Sequence, residues 1–293
     1  MTRRKGLALL ALAACMPLAA CGDDDDDGGG SGEAAKPAVV SVVTTETGDG
    51  VRMRLSGGAS LRPGVTRIDF RNDGKRPHEA QLIRVEGNHS QAEMLQVLER
   101  AGEGGPLPAW FRAGGGAGQT APGTATTITV ALEPGTYYVV DTAEPEGENA
   151  KPYYERGGLA KFEVRGERSA AEAPAVRGRV TAKEYSFTAS GLAAGKNRVE
   201  FDNAGKEPHH IVAAPIAPGK AIADVREFFR TEKGRPPVAF DKFVTTSVID
   251  GETTETVELE LQRGDYAMLC FISDRKGGPP HVAKGMISEA TVE

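Results

Sequence analysis

The chain reads as an all-β protein of two tandem Greek-key β-sandwiches, each with a short helical insert. Three observations predict it. First, residues 66–85 (TRIDFRNDGKRPHEAQLIRV) align without a gap to 197–216 (NRVEFDNAGKEPHHIVAAPI), with seven of the twenty positions identical. Residues 132–141 (LEPGTYYVVD) then align to 261–270 (LQRGDYAMLC) at nearly the same offset, a period far too long for a solenoid. Second, the apolar residues mostly alternate: Ile68-Asp69-Phe70, Val199-Glu200-Phe201, Thr126 to Leu132 and Thr254 to Leu261 all read as half-buried strands. Third, 37 Gly and 18 Pro in 293 residues supply the turns that many short strands need, yet stay below the ~25–30% of low-complexity chains.

Residues 1–20 read as a lipoprotein signal peptide. Arg3, Arg4 and Lys5 precede an apolar run from Gly6 to Leu18, too short for a comfortable membrane span. The run ends in Leu18-Ala19-Ala20-Cys21, which resembles a bacterial lipobox and implies lipidation at Cys21. Residues 21–37 hold five consecutive aspartates, Asp23 to Asp27, and a Gly-rich stretch; like charges repel and Gly resists ordering, so this is a solvated tether. The first sandwich is expected over 38–165. Its Asn-x-Gly-Lys turn follows one strand, and Met94, Val97 and Leu98 fall at helical spacing in the middle. The Ala/Glu-rich stretch 166–175 reads as a linker, and 176–293 as the second sandwich. There Ile222, Val225, Phe228 and Phe229 repeat the helical insert. The multiplicity of short strands with one insert per copy suits the sandwich class.

A formal charge of −6, or −9 once residues 1–20 are removed, argues against a nucleic-acid partner, which needs a basic face. Of the three cysteines, Cys15 leaves with the signal and Cys21 carries the lipid. Cys270 is left without a disulfide partner in an exported protein. It is an inert buried residue, a reactive thiol or a metal ligand.

The surroundings of Cys270 point to the third reading. Cys270, His281 and Met286 form Cys-x10-His-x4-Met, and upstream lies the turn Asn203-Ala-Gly-Lys-Glu-Pro-His209-His210. A soft thiolate, a thioether and imidazoles suit copper cycling between Cu(I) and Cu(II). At these residues the two copies resemble cupredoxins, the blue-copper family of plastocyanin and amicyanin. The resemblance implies that His209, Cys270 and His281 hold one copper in the second domain with Met286 as a weak axial ligand, and that the fold is cupredoxin-like. Strand phase favours His209, on one face with Ile211 and Ala213; His210 points the other way, and with Asn203 is a candidate for the outer shell of the site. Ten residues between Cys and His is long for a small cupredoxin and resembles the extended loop of copper nitrite reductases. Residues 273–280 then form either a rim for a docking partner or a lid.

The first copy keeps His78, but Asp141 stands in place of Cys270, Tyr153 near His281 and Gly158 near Met286. No soft site is expected there, His78 is expected to be exposed or hydrogen-bonded, and neither Glu79 nor His89 suggests a second metal set. Copper nitrite reductases and multicopper oxidases resemble the tandem layout, but in them a His flanks the ligand Cys, whereas Leu269 and Phe271 flank Cys270. With no hydrolase or nucleotide motif either, the chain is expected not to be an enzyme. The resemblance implies one-electron transfer at an extracytoplasmic membrane face, with a redox or copper-exchange protein as partner. Two alternatives stay open: a copper storage or delivery protein, and a metal-free adhesion or scaffold module working through Trp110-Phe111 and Phe228-Phe229.

Overall fold

A computed structural model describes residues 35–48, 50–145 and 150–293. The signal, Cys21 and most of the tether lie outside the described residues.

The expected strands form, and both helical inserts with them. In chain order these are β1 (Ala38–Thr47), β2 (Gly50–Ser56), β3 (Gly64–Asn72), β4 (His78–Val85), α1 (Gln91–Gly102), β5 (Phe111–Thr120), β6 (Ala125–Leu132), β7 (Gly135–Val140) and β8 (Leu159–Val164). Then follow β9 (Gly178–Lys183), β10 (Ser186–Ser190), β11 (Gly195–Asn203), β12 (Val212–Pro215), α2 (Ile222–Thr231), β13 (Val244–Thr245), β14 (Thr253–Leu261), β15 (Gly264–Leu269) and β16 (Ile287–Val292). Helix α1 starts at a capping box: Ser90 Oγ accepts the Glu93 N–H, and the Glu93 carboxylate accepts the Ser90 N–H. It buries Met94 and Val97, while α2 buries Val225.

Two four-stranded sheets, β5-β4-β7-β8 and β13-β12-β15-β16, face one continuous eight-stranded sheet ordered β10-β9-β11-β14-β6-β3-β1-β2. The same wiring occurs twice. β1 runs parallel to β3 and β9 parallel to β11, whereas β3–β6 and β11–β14 are antiparallel. The two halves join edge to edge where β14 pairs antiparallel with β6, Val257 opposite Ile128. This pairing covers two strand edges that would otherwise stand open.

Between the sheets runs one apolar cluster containing Phe70 and Phe201, equivalent in the repeat and both fully buried. Burial of each such side chain is worth roughly 1.5–3 kcal/mol. Strand alternation sorts the second half into two layers. Ile211, Ala213, Met268, Cys270 and Met286 face the inter-sheet core, whereas Val212, Ala214, Leu269 and Ile287 face the layer under α2. Period-two geometry thus carries Cys270 inward on the same side as the residues that follow His209. Phe111 is itself buried, and Trp110 packs beside it under α1.

Candidate metal centre

Each donor is positioned by local structure. His209 is held between β11 and β12 by a pair of backbone bonds with Ile249: its N–H donates to the Ile249 carbonyl (3.0 Å) and its carbonyl accepts the Ile249 N–H (2.9 Å). The preceding turn is organised by buried Asn203. Its Nδ2 donates to the carbonyls of Glu207 (2.8 Å) and Ile249 (3.2 Å), and its Oδ1 accepts the Gly205 N–H (3.1 Å). Asn72 makes the matching bonds to Arg76, Thr120 and Gly74 in the first half. Cys270 follows β15. His281 opens a short 3-10 turn, His281–Lys284, after Pro280; its N–H donates to Ile272, while the Val282 N–H returns to the Cys270 carbonyl (2.7 Å).

The three side chains meet. Cys270 Sγ lies 3.7 Å from His209 Nδ1 and 3.5 Å from His281 Nδ1, and the two Nδ1 atoms are 3.0 Å apart. All three residues are fully buried. Met286 is equally buried, packs in the same apolar cluster as Cys270, and donates its N–H to the His281 carbonyl. Among the described residues, His209, Cys270 and His281 are the group of His, Cys, Asp or Glu side chains placed to share a metal ion.

The group fits a metal on its own geometry. A triangle with those sides has a point about 2 Å from all three corners, the bond length of imidazole nitrogen to a metal and close to that of thiolate sulfur. The donor set, two imidazoles and a thiolate, is soft, as Cu(I) and Cu(II) together require. The protonation chemistry agrees. Burial, aided by the neighbouring His281, pushes His209 down to about 4, against the pull of Glu184 and Asp274. His281 is lowered by burial too, opposed by Asp274. Burial pushes the Cys270 thiol up to about 12. Three uncharged groups crowd one spot, and a cation there reverses the balance for the thiol.

A carboxylate stands behind one of the two imidazoles. Asp274 Oδ1 is 2.9 Å from His281 Nε2, and its carboxylate also takes Lys284 Nζ and the Tyr185 hydroxyl (3.0 Å). This is the carboxylate–histidine arrangement that fixes a ligand ring and raises its basicity. His209 Nε2 is buried without a hydrogen-bond partner; Glu184, near it, caps the 203–207 turn by accepting the N–H groups of Lys206 and Glu207. His210 turns outward, half-buried, and accepts the Phe271 N–H at 3.0 Å, so it braces the residue after Cys270. Sequence reasoning missed Glu184, Tyr185 and the role of Asp274. The one available signal for Asp274 was a charge inside the Cys-to-His loop.

The equivalent position in the first half is closed by a hydrogen bond. His78 is fully buried, not exposed, with Nδ1 2.7 Å from Asp141 Oδ2 and its ring 4.5 Å from that of Tyr153. Gly158 lies against Asp141, where a Cβ would come within 2.8 Å of the Asp141 Cβ. Burial raises the Asp141 carboxyl, against the pull of His78.

No protein-family model and no curated protein matches the sequence. Among solved structures, the chain is similar to a multicopper oxidase (15% identity, 87% of this chain and 88% of that one, TM-score 0.25). It is also similar to auracyanin from Roseiflexus castenholzii (22%, 39% and 94%, TM-score 0.25) and to the copper nitrite reductase from Nitrosomonas europaea (13%, 88% and 94%, TM-score 0.26). The chain is all-β, with the same strand wiring in each half, as the sequence predicted. The expectation that it is not an enzyme is withdrawn, because a multicopper oxidase and a copper nitrite reductase, both enzymes, are among the solved structures similar to it. The physical reason is that Leu269 and Phe271 speak only to one way of wiring a second metal centre. A fold hosts chemistry through whatever groups line its sites. Among the described residues, no helix is long and apolar enough to cross a membrane.

Proposed function

We propose that the chain is a membrane-anchored, extracytoplasmic copper protein that transfers single electrons through one type 1-like site in its second half, 176–293. The observation that supports this reading most is the buried triangle of Cys270 Sγ, His209 Nδ1 and His281 Nδ1. Those residues would hold the metal, with Met286 as the weak fourth donor. Copper, when bound, supplies the one-electron change. The chain's own part is to hold the donors in one geometry for both oxidation states, to exclude water by complete burial, and to orient His281 through Asp274. Burial of every donor favours retention of the metal over its delivery. The first half, 38–165, is read as a degenerate copy, residues 1–20 as the signal, Cys21 as the lipidated residue and 166–175 as the linker. The partner is a redox protein at the membrane face.

The test is a Cu(II) titration of the full chain, purified reduced, followed by visible absorption and EPR. An intense thiolate-to-copper band, lost in Cys270→Ala, is the expected result. No band and no stoichiometric copper would overturn the reading in favour of a metal-free scaffold on the same frame.

A further inference from the structure

The ten-residue loop between Cys270 and His281 is a puzzle for a rigid site. A free loop of that length carries a donor at its end and two glycines in its middle, and ordering it costs conformational entropy. In the structure it is not free. It lies against residues 104–111 of the first half, the segment between α1 and β5.

The contact is made by main chain and by one side chain. The Leu107 N–H donates to the Arg275 carbonyl (2.8 Å), and the Gly278 N–H to the Gly104 carbonyl (3.0 Å). Gly277, with φ +81°, approaches so closely that a Cβ would come within 2.7 Å of the Gly104 carbonyl oxygen. Arg275 then spreads its guanidinium over both halves. Nη2 donates to the carbonyls of Pro108 and Phe111, both at 2.8 Å, and Nη1 pairs with Asp250 at 2.5 Å. Its backbone N–H donates to the Glu207 carboxylate at 2.6 Å.

These partners lie beside the donors. Glu207 is two residues before His209, Asp250 follows the Ile249 that brackets His209, and Asp274, which holds His281 Nε2, is the residue before Arg275. The Arg275–Asp250 pair is mostly screened from water, with 19% and 7% of the side chains exposed. We infer that Arg275 is the positioning residue of the metal site, and that segment 104–111 of the first half is the anchor it grips, so that the first half serves the site although it holds no soft donor set of its own. Only a planar fork reaches Asp250, Pro108 and Phe111 together. The role at the metal rests on the reading given under Proposed function; the ordering of the loop does not.

The experiment uses the full chain with R275M and R275K, and two readouts. The first is hydrogen–deuterium exchange of amides 271–278 in metal-free protein. The second is Cu(II) affinity with the EPR line shape. Faster exchange across the loop, an affinity loss of about 10–100-fold and a broadened spectrum are expected for R275M, the size seen when outer-shell partners of metal ligands are removed. R275K, which keeps the charge but not the fork, is expected to fall short of wild type in both, and it carries the comparison if R275M does not fold. Wild-type loop exchange in the variants overturns the inference, and so does altered exchange with unaltered copper binding, or R275K indistinguishable from wild type. If the wild-type chain takes up no copper, the reading of the site fails, and the exchange data alone decide whether Arg275 orders the loop.

Discussion

Cys270 Sγ and His281 Nδ1 lie 3.5 Å apart, although ten residues separate them in the chain. The short 3-10 turn that begins at His281 folds the loop back so that the Val282 N–H reaches the Cys270 carbonyl. That bond and the one from the His281 N–H to the Ile272 carbonyl close the loop at its base, and the contacts to the first half hold it along its length.

Asp274→Asn is expected to weaken Cu(II) binding by about 10–100-fold and to raise the reduction potential. A carboxylate 2.9 Å from His281 Nε2 stabilises the more positive oxidised state, and an amide does not. Potentiometry of the copper-loaded full chain measures this, and a lowered potential contradicts it.

Asn203→Ala and Asn72→Ala are expected to cost similar stability, about 1–3 kcal/mol each, because each leaves buried backbone groups of an equivalent turn unpaired. Only Asn203→Ala is expected to alter the copper spectrum, since only its turn leads into His209. Denaturant unfolding and absorption spectra of both variants decide the point.

Glu255 gives the chain a stability that depends on pH. It sits fully buried on β14, with Oε2 accepting the Gly116 N–H at 2.9 Å and Oε1 without a partner. Burial pushes its carboxyl up to about 8 from the ordinary 4.5. A group with a raised folded pKa stabilises fully below its unfolded value, and that contribution is lost as pH rises through the folded one. The wild-type chain is therefore expected to lose a few kcal/mol between pH 4.5 and 8 from this group. Glu255→Gln is expected to flatten that loss and to be more stable than wild type at pH 9. Urea unfolding at pH 5, 7 and 9 checks the sign.

His210→Ala is expected to leave copper bound but to loosen the residue after Cys270. The His210 ring accepts the Phe271 N–H, and its loss leaves that amide without its acceptor. The expected signature is faster exchange of the Phe271 amide with the thiolate band retained. Loss of the band would make His210 a ligand instead.

What the sequence determined by itself is everything that follows from local period and repeat. Alternation every second residue puts His209 on the face of Ile211 and Ala213 and turns His210 away, because successive side chains on an extended strand point to opposite sides. The repeat predicted two sandwiches and two inserts, since equal patterns of apolar residues bury in equal ways. Donor chemistry singled out Cys270, His281 and Met286 by residue type and order. Tertiary structure alone decided the rest. That β6 pairs with β14, that Asp274 holds His281, and that Arg275 reaches Pro108 and Phe111 are facts about which surfaces meet. Arg275 and its carbonyl partners are more than 160 residues apart, and no periodicity links them. A charged residue in a Gly-Pro loop has the same local signature whether it faces water or grips a neighbouring backbone; only the packed chain, where an unpaired carbonyl or guanidinium is costly, distinguishes the two.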